Sequence, residues 1–88
     1  MDDSVQVTEV KVLFFAKARE LVGINENFLT VPKNITADQL LQKIVEAFNL
    51  EVIKGSFILA VNEEFVEGSV VLKLSDKDEV AIIPPLSG

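Results

Sequence analysis

Thr36-Ala37-Asp38-Gln39-Leu40-Leu41-Gln42-Lys43-Ile44-Val45-Glu46-Ala47-Phe48 is the clearest helix in the chain. Thr36 and Gln39 have the residue types and spacing of a capping box, with the Thr36 hydroxyl serving the Gln39 amide and the Gln39 side chain reaching back. Ile35 and Leu40 are placed for a hydrophobic staple across the same start. Leu40, Leu41, Ile44, Ala47 and Phe48 recur at helical spacing, while Asp38, Gln42, Lys43 and Glu46 fall mostly on the other side. That pattern predicts one buried stripe. Asp38 near the N-terminus also suits the helix dipole. One helix with one apolar stripe is buried most economically across one face of a sheet.

The flanks supply the strands. Upstream, Thr8 to Phe14 predicts a strand with Val10, Val12 and Phe14 inward. Lys11, Leu13 and Phe15 fall on the opposite face, which begins polar and ends apolar. Ala16 to Val22 is rich in helix formers and is followed by Gly23 at the expected C′ position, giving one or two helical turns. Asn27 to Val31 then returns as a second strand closed by Pro32, so the first two strands form an antiparallel hairpin with an enlarged loop. Downstream, 49–56 is a connection, and the apolar run Phe57 to Val61 predicts a buried central strand. Asn62-Glu63 breaks it, and Glu64 to Val66 returns as a hairpin arm with Val66 inward and Phe65 outward. Gly68 marks a turn, Val70 to Leu74 is apolar but ambiguous, and Ser75-Asp76-Lys77-Asp78 is a turn cluster. In the last strand, Glu79 to Ile83, Val80 and Ile82 point one way while Glu79, Ala81 and Ile83 point the other. Phe15, Phe65 and Ile83 are therefore outward apolar residues, which mark a binding surface if they cluster.

The order is ββαβββ-like, and the crossover through the helix is right-handed. The fold class is α+β: a mixed sheet with one main helix packed on one face, the ubiquitin-like β-grasp architecture. Its last strand lies parallel to the first in the middle of the sheet. The 88 residues form one domain, 1–88. Segment 1–7 is expected as a flexible N-terminus, and 84–88 as an extended tail. Pro84 and Pro85 lack a backbone donor and stop the strand, and a Pro-Pro pair favours the open polyproline II form. Leu86, Ser87 and Gly88 continue that thin tail.

Composition excludes several classes. His, Cys, Tyr and Trp are absent, which removes the commonest general acid–base group and the strongest nucleophile. An independent hydrolase or redox enzyme is not expected, nor is a bound transition metal. The net charge of −6 argues against nucleic acid as the partner and permits one with a basic surface. No apolar run approaches the ~20 residues that span a membrane. The acidic start Met1-Asp2-Asp3-Ser4 is unlike a secretory signal, and the lack of cysteine fits the cytoplasm.

Three stretches carry a family likeness. Lys11-Val12-Leu13-Phe14-Phe15-Ala16-Lys17-Ala18-Arg19-Glu20-Leu21-Val22-Gly23 resembles the opening of molybdopterin synthase small subunits. Val61-Asn62 followed by Glu64-Phe65-Val66 resembles their middle hairpin, and 78–88 resembles their ending. The likeness runs from about Glu9 to the last residue. It implies a β-grasp sulfur carrier that catalyses nothing alone. A ubiquitin-activating-type enzyme would use ATP to adenylate the terminal glycine, and the acyl adenylate would become a thiocarboxylate. The chain itself would bind no cofactor. The tail would enter the large synthase subunit and give its sulfur to cyclic pyranopterin monophosphate, in an assembly of two large and two small subunits in the cytoplasm. Neither nucleic acid nor membrane is implied as a partner. On this likeness Gly88 is the reacting terminus, and Phe15, Phe65, Ile83, Pro84, Pro85, Leu86 and Ser87 bind partners. A carrier for thiamine or tRNA thiolation or for protein conjugation, or a ubiquitin-like interaction module with an inert tail, are the alternatives.

The family ends in Gly-Gly, whereas Ser87-Gly88 closes this sequence. Gly88 then aligns with the penultimate glycine. A final glycine has been lost, the form is inactive, or Gly88 itself is activated. An active site built for one more residue would leave the carboxyl short by up to about 3.3–3.6 Å. The expectation is a chain that docks nearly normally yet transfers little sulfur, with transfer restored by one added glycine.

Overall fold

The computed structural model describes residues 6–52 and 57–83. β1 (Val7–Phe14) and β2 (Glu26–Pro32) pair antiparallel, and Val10, Val12 and Phe14 of β1 are buried as their alternation requires. β1 begins inside the segment expected to be flexible, because Val7 pairs with Pro32 and the Lys33 amide donates to the Gln6 carbonyl at 2.9 Å. Between these strands lies α1 (Ala16–Val22), a short helix that buries Ala18. It ends on Gly23, whose φ of 88° is left-handed and whose amide donates to the Arg19 carbonyl at 2.8 Å. That geometry is the reason for glycine at this point.

β3 (Asn34–Thr36) leads into α2 (Ala37–Ala47), the main helix. The capping box forms as expected: the Gln39 amide donates to Thr36 Oγ1 at 3.1 Å, and the Thr36 amide donates to Gln39 Oε1 at 3.3 Å. Two further amides of the first turn find carbonyls in the loop after the hairpin, Ala37 N–H to Val70 O at 3.0 Å and Asp38 N–H to Gly68 O at 2.9 Å. The donors that a helix start leaves open are thus satisfied by tertiary contacts. The approach is close enough that a Cβ on Gly68 would collide with the Asp38 carboxylate.

A 3-10 turn (Leu50–Val52) buries Leu50. The chain then runs through β4 (Ile58–Val61), β5 (Glu64–Val66), β6 (Val71–Lys73) and β7 (Glu79–Ile83). The main sheet has the order β2-β1-β7-β4-β5. β1 and β7 are parallel and the other pairs antiparallel, so the last strand occupies the middle of a mixed sheet. β4 is interior, one strand from the edge. β3 and β6 form a separate two-stranded sheet that buries Ile35 and Leu72. This is the β-grasp fold. Its small second sheet accounts for the ambiguous run at Val70 to Leu74.

Leu40 and Ile44 of α2 join Val10, Val12, Phe14, Val80 and Ile82 in the core, with Leu41 and Phe48 packed at its margin. The Phe48 ring meets Phe14 edge-on, with centroids 4.8 Å apart, a favourable aromatic geometry. Ala47 departs from the expected stripe and is exposed. It lies in the last turn beside a shallow groove shared with Leu29 and Thr30 of β2, where nothing among the described residues covers it.

One polar contact reaches the core edge. The buried Thr8 hydroxyl donates to Asp76 Oδ1, and the Glu9 amide donates to the same oxygen at 3.3 Å. These two donors hold the Asp76 carboxyl below its ordinary value, the Thr8 hydroxyl contributing most. A depressed folded value makes the contribution complete above the ordinary range of about 3.9 and lost as pH falls through the lowered value. Asp76→Asn should therefore cost stability at neutral pH and less in strong acid. Urea midpoints of both forms at the two pH values check this, and an equal gap at each would count against the contact.

Candidate functional site

The helix side of the sheet is filled, and the other side carries a pocket. Register places its lining. Leu13 pairs with Ala81, Ala81 with Ala60, and Ala60 with Phe65, in one row across β1, β7, β4 and β5. Ile58 faces Ile83 in the next row. Ala60 and Ala81 are small and make a low floor. Leu13, Phe15, Phe65 and Ile83 stand around it, and the enclosed space is about 230 Å³. Phe65 is 71 % exposed and Phe15 44 %, with Ile83 half-buried. Adjoining large apolar groups this open to water are the mark of a contact surface. The three outward residues expected from alternation thus share one pocket.

Local backbone geometry presents the two phenylalanines. Phe15 is the extended N-cap of α1, and Ala16 beyond it has a left-handed φ of 52°. That turn takes the chain off β1 while Phe15 remains over the outer face. Phe65 sits on a two-residue hairpin, since Val61 pairs directly with Glu64. Both loop residues have positive φ, 50° at Asn62 and 72° at Glu63. Positive φ at both central residues is the type I′ pattern, which matches the twist of paired strands.

Asn62 ties this hairpin to β7. Its amide donates to the Glu79 carbonyl at 2.8 Å, its Oδ1 accepts from the Glu79 amide at 2.9 Å, and its Nδ2 donates to Asp78 Oδ1 at 3.1 Å. Asp78 in turn accepts from the Ser75 amide at 2.9 Å, while its carbonyl accepts from the Lys11 amide at 2.9 Å. The network ties the loop of the hairpin that carries Phe65 to the start of β7, the strand that carries Ile83. Glu63 and Glu79 form the acidic part of the pocket lining. On the β2 side the apolar surface gives way to Lys11, whose Nζ lies 3.8 Å from Glu26 Oε2 and 6.0 Å from the Phe28 ring centre.

The pocket offers apolar contact and two carboxylates, with no hydroxyl, thiol or amine side chain among its lining residues. Pro84, Pro85, Leu86, Ser87 and Gly88 lie outside the described residues. In sequence, Pro84 follows directly on Ile83, which lines the pocket. Sequence reasoning did not assign Leu13, Ala60, Ala81, Glu63, Glu79 or Asn62 to the site. Alternation alone could have added Leu13 and Ala81. Ala60 is hidden inside a continuous apolar run, and the Asn62 bonds join segments far apart in sequence.

The sequence model of the ThiS family matches residues 12–88. A molybdopterin synthase sulfur carrier subunit of Drosophila melanogaster is 46 % identical over 83 residues, covering 93 % of this chain and 92 % of that protein. One of Arabidopsis thaliana is 40 % identical over 87 residues, covering 98 % and 88 %. Among solved structures, a putative molybdopterin converting factor subunit 1 from Pyrococcus furiosus superposes with a TM-score of 0.71 at 26 % identity, covering 90 % of this chain and 99 % of that one.

Proposed function

The chain belongs to the ThiS family, and from that membership and the outer-face pocket we propose that it is the sulfur carrier subunit of a molybdopterin synthase. The observation that carries the reading is the 46 % identity, over nearly the whole of both chains, to a protein of that name. The pocket supports it, because a carrier must be held by its partners while its tail reacts elsewhere.

The chemistry follows from the tail. A carboxylate is a poor electrophile. On an activating enzyme, one carboxylate oxygen attacks the α-phosphorus of ATP and expels pyrophosphate, and the acyl adenylate so formed gives the C-terminal glycine a good leaving group. Hydrosulfide from the sulfur source then attacks the acyl carbon, AMP departs with that oxygen, and loss of the S–H proton leaves a thiocarboxylate. Glycine places no side chain near the reacting carbon, and the two prolines lower the entropy lost when the tail enters a narrow channel. The large subunit binds the pocket face, two copies of each subunit assemble, and sulfur passes to cyclic pyranopterin monophosphate in the cytoplasm. The nucleotide and the catalytic side chains belong to the partners.

Intact mass spectrometry tests the reading. After incubation with the activating enzyme, ATP and a sulfur source, the chain extended by one glycine should gain the mass difference between sulfur and oxygen, and the chain ending on Gly88 should gain it slowly or not at all. Adding the large subunit and cyclic pyranopterin monophosphate should return the mass to its starting value. A mass that never changes in either form, with an enzyme that charges another carrier, would overturn the proposal.

A further inference from the structure

We infer that the group received by the outer-face pocket is an apolar side chain of the large synthase subunit flanked by an arginine or lysine, whose cation meets Glu63 and Glu79. The inference rests on the functional reading above and adds the chemistry of the partner's contact.

The pocket is apolar over most of its lining, with Leu13, Phe15, Phe65 and Ile83 around an alanine floor. Such a space is filled by an apolar side chain. Its two charged lining residues have the same sign. Glu63 follows Asn62, whose amide is bonded to the Glu79 carbonyl, so the two glutamates rise from neighbouring points of the backbone. Among the described residues neither is in an ion pair, the described pairs being Lys11 with Glu26 and Lys17 with Glu20. Lys11 stands opposite Glu79 in the β1–β7 register, but its Nζ is turned toward Glu26, 3.8 Å away, and the Phe28 ring. A partner that covers the pocket takes water from both carboxylates. Desolvating a carboxylate without a cation is costly, and like charges that face one another oppose docking. A guanidinium or ammonium beside the inserted side chain removes both penalties. The chain's net charge of −6 draws a basic surface in the same sense.

Glu63 also separates binding from folding. Its φ of 72° is a conformation that favours glycine at this hairpin position. Local folding is therefore better served by glycine there, whereas the inferred contact needs the carboxylate. Glu63→Gly should raise the thermal midpoint while weakening docking, a pair of changes that a merely structural role does not produce.

The experiment titrates the chain, Glu63→Gln, Glu63→Gly and the double variant Glu63→Gln with Glu79→Gln against the large synthase subunit of the same organism, at low and high ionic strength. Each single change is expected to weaken binding by about three- to fivefold at low ionic strength, and the double change by about tenfold or more. The loss should shrink in high salt, where the carboxylates are screened. Melting curves of the same samples show that the glutamine variants are folded. If the unaltered chain binds and all variants match it at both ionic strengths, this inference is wrong and the carrier reading stands. If the unaltered chain does not bind the large subunit at all, both fail together.

Discussion

Ile44→Ala is expected to lower the free energy of unfolding by about 2–5 kcal/mol. Ile44 is fully buried in the middle turn of α2 and belongs to the cluster with Val10, Val12, Phe14, Val80 and Ile82. Truncation removes buried methyl and methylene groups and leaves a cavity that a close-packed interior cannot fully close. A domain of this size has little stability to spare, so the change should be plain in a urea titration followed by circular dichroism. A midpoint that stays where it was would show that the helix does not pack as described.

Ile83→Asp should act on docking instead. Ile83 points away from the core, lines the pocket and faces Ile58 across the β4–β7 pair. Aspartate removes part of the pocket wall and sets a third negative charge in a lining that already holds Glu63 and Glu79. Truncating an interface hot spot costs about 2 kcal/mol or more. Affinity for the large subunit should thus fall by roughly thirtyfold or more while the melting curve stays cooperative. Calorimetry gives the answer directly, and an unchanged dissociation constant removes Ile83 from the interface.

The two variants divide what was legible in the sequence from what was not. Ile44 was placed by helical spacing and Ile83 by strand alternation, both consequences of local geometry. The same logic located the Thr36 cap, the Gly23 stop, the hairpin at Asn62-Glu63 and the outward Phe65. It failed where a residue's surroundings are set by distant parts of the chain. Asn34 to Thr36 and Val71 to Lys73 are each too short to show a period, and become strands only by pairing with one another. Leu50 lies in a connection, yet it is fully buried. Ala47 fits the helical stripe but ends beside an open groove. Asn62, Asp78 and Thr8 owe their importance to hydrogen-bond partners in other segments. The pocket belongs to both classes: its walls were visible one residue at a time, and their meeting required the register of four strands.

The position of β7 has a consequence for how the protein is made. The middle strand of the sheet is the last one synthesised, and it pairs with the first. Until it emerges, the β1–β2 hairpin and the β4–β5 hairpin have nothing between them, and neither pair of strands is stable on its own. The sheet therefore closes late, through contacts between the two ends of the chain, which makes folding slower than local pairing would be. A nascent chain that stops short of β7 has neither the finished sheet nor the pocket. Translation errors that stop the chain before β7 thus tend to yield an unfolded product, open to proteolysis, rather than a folded one.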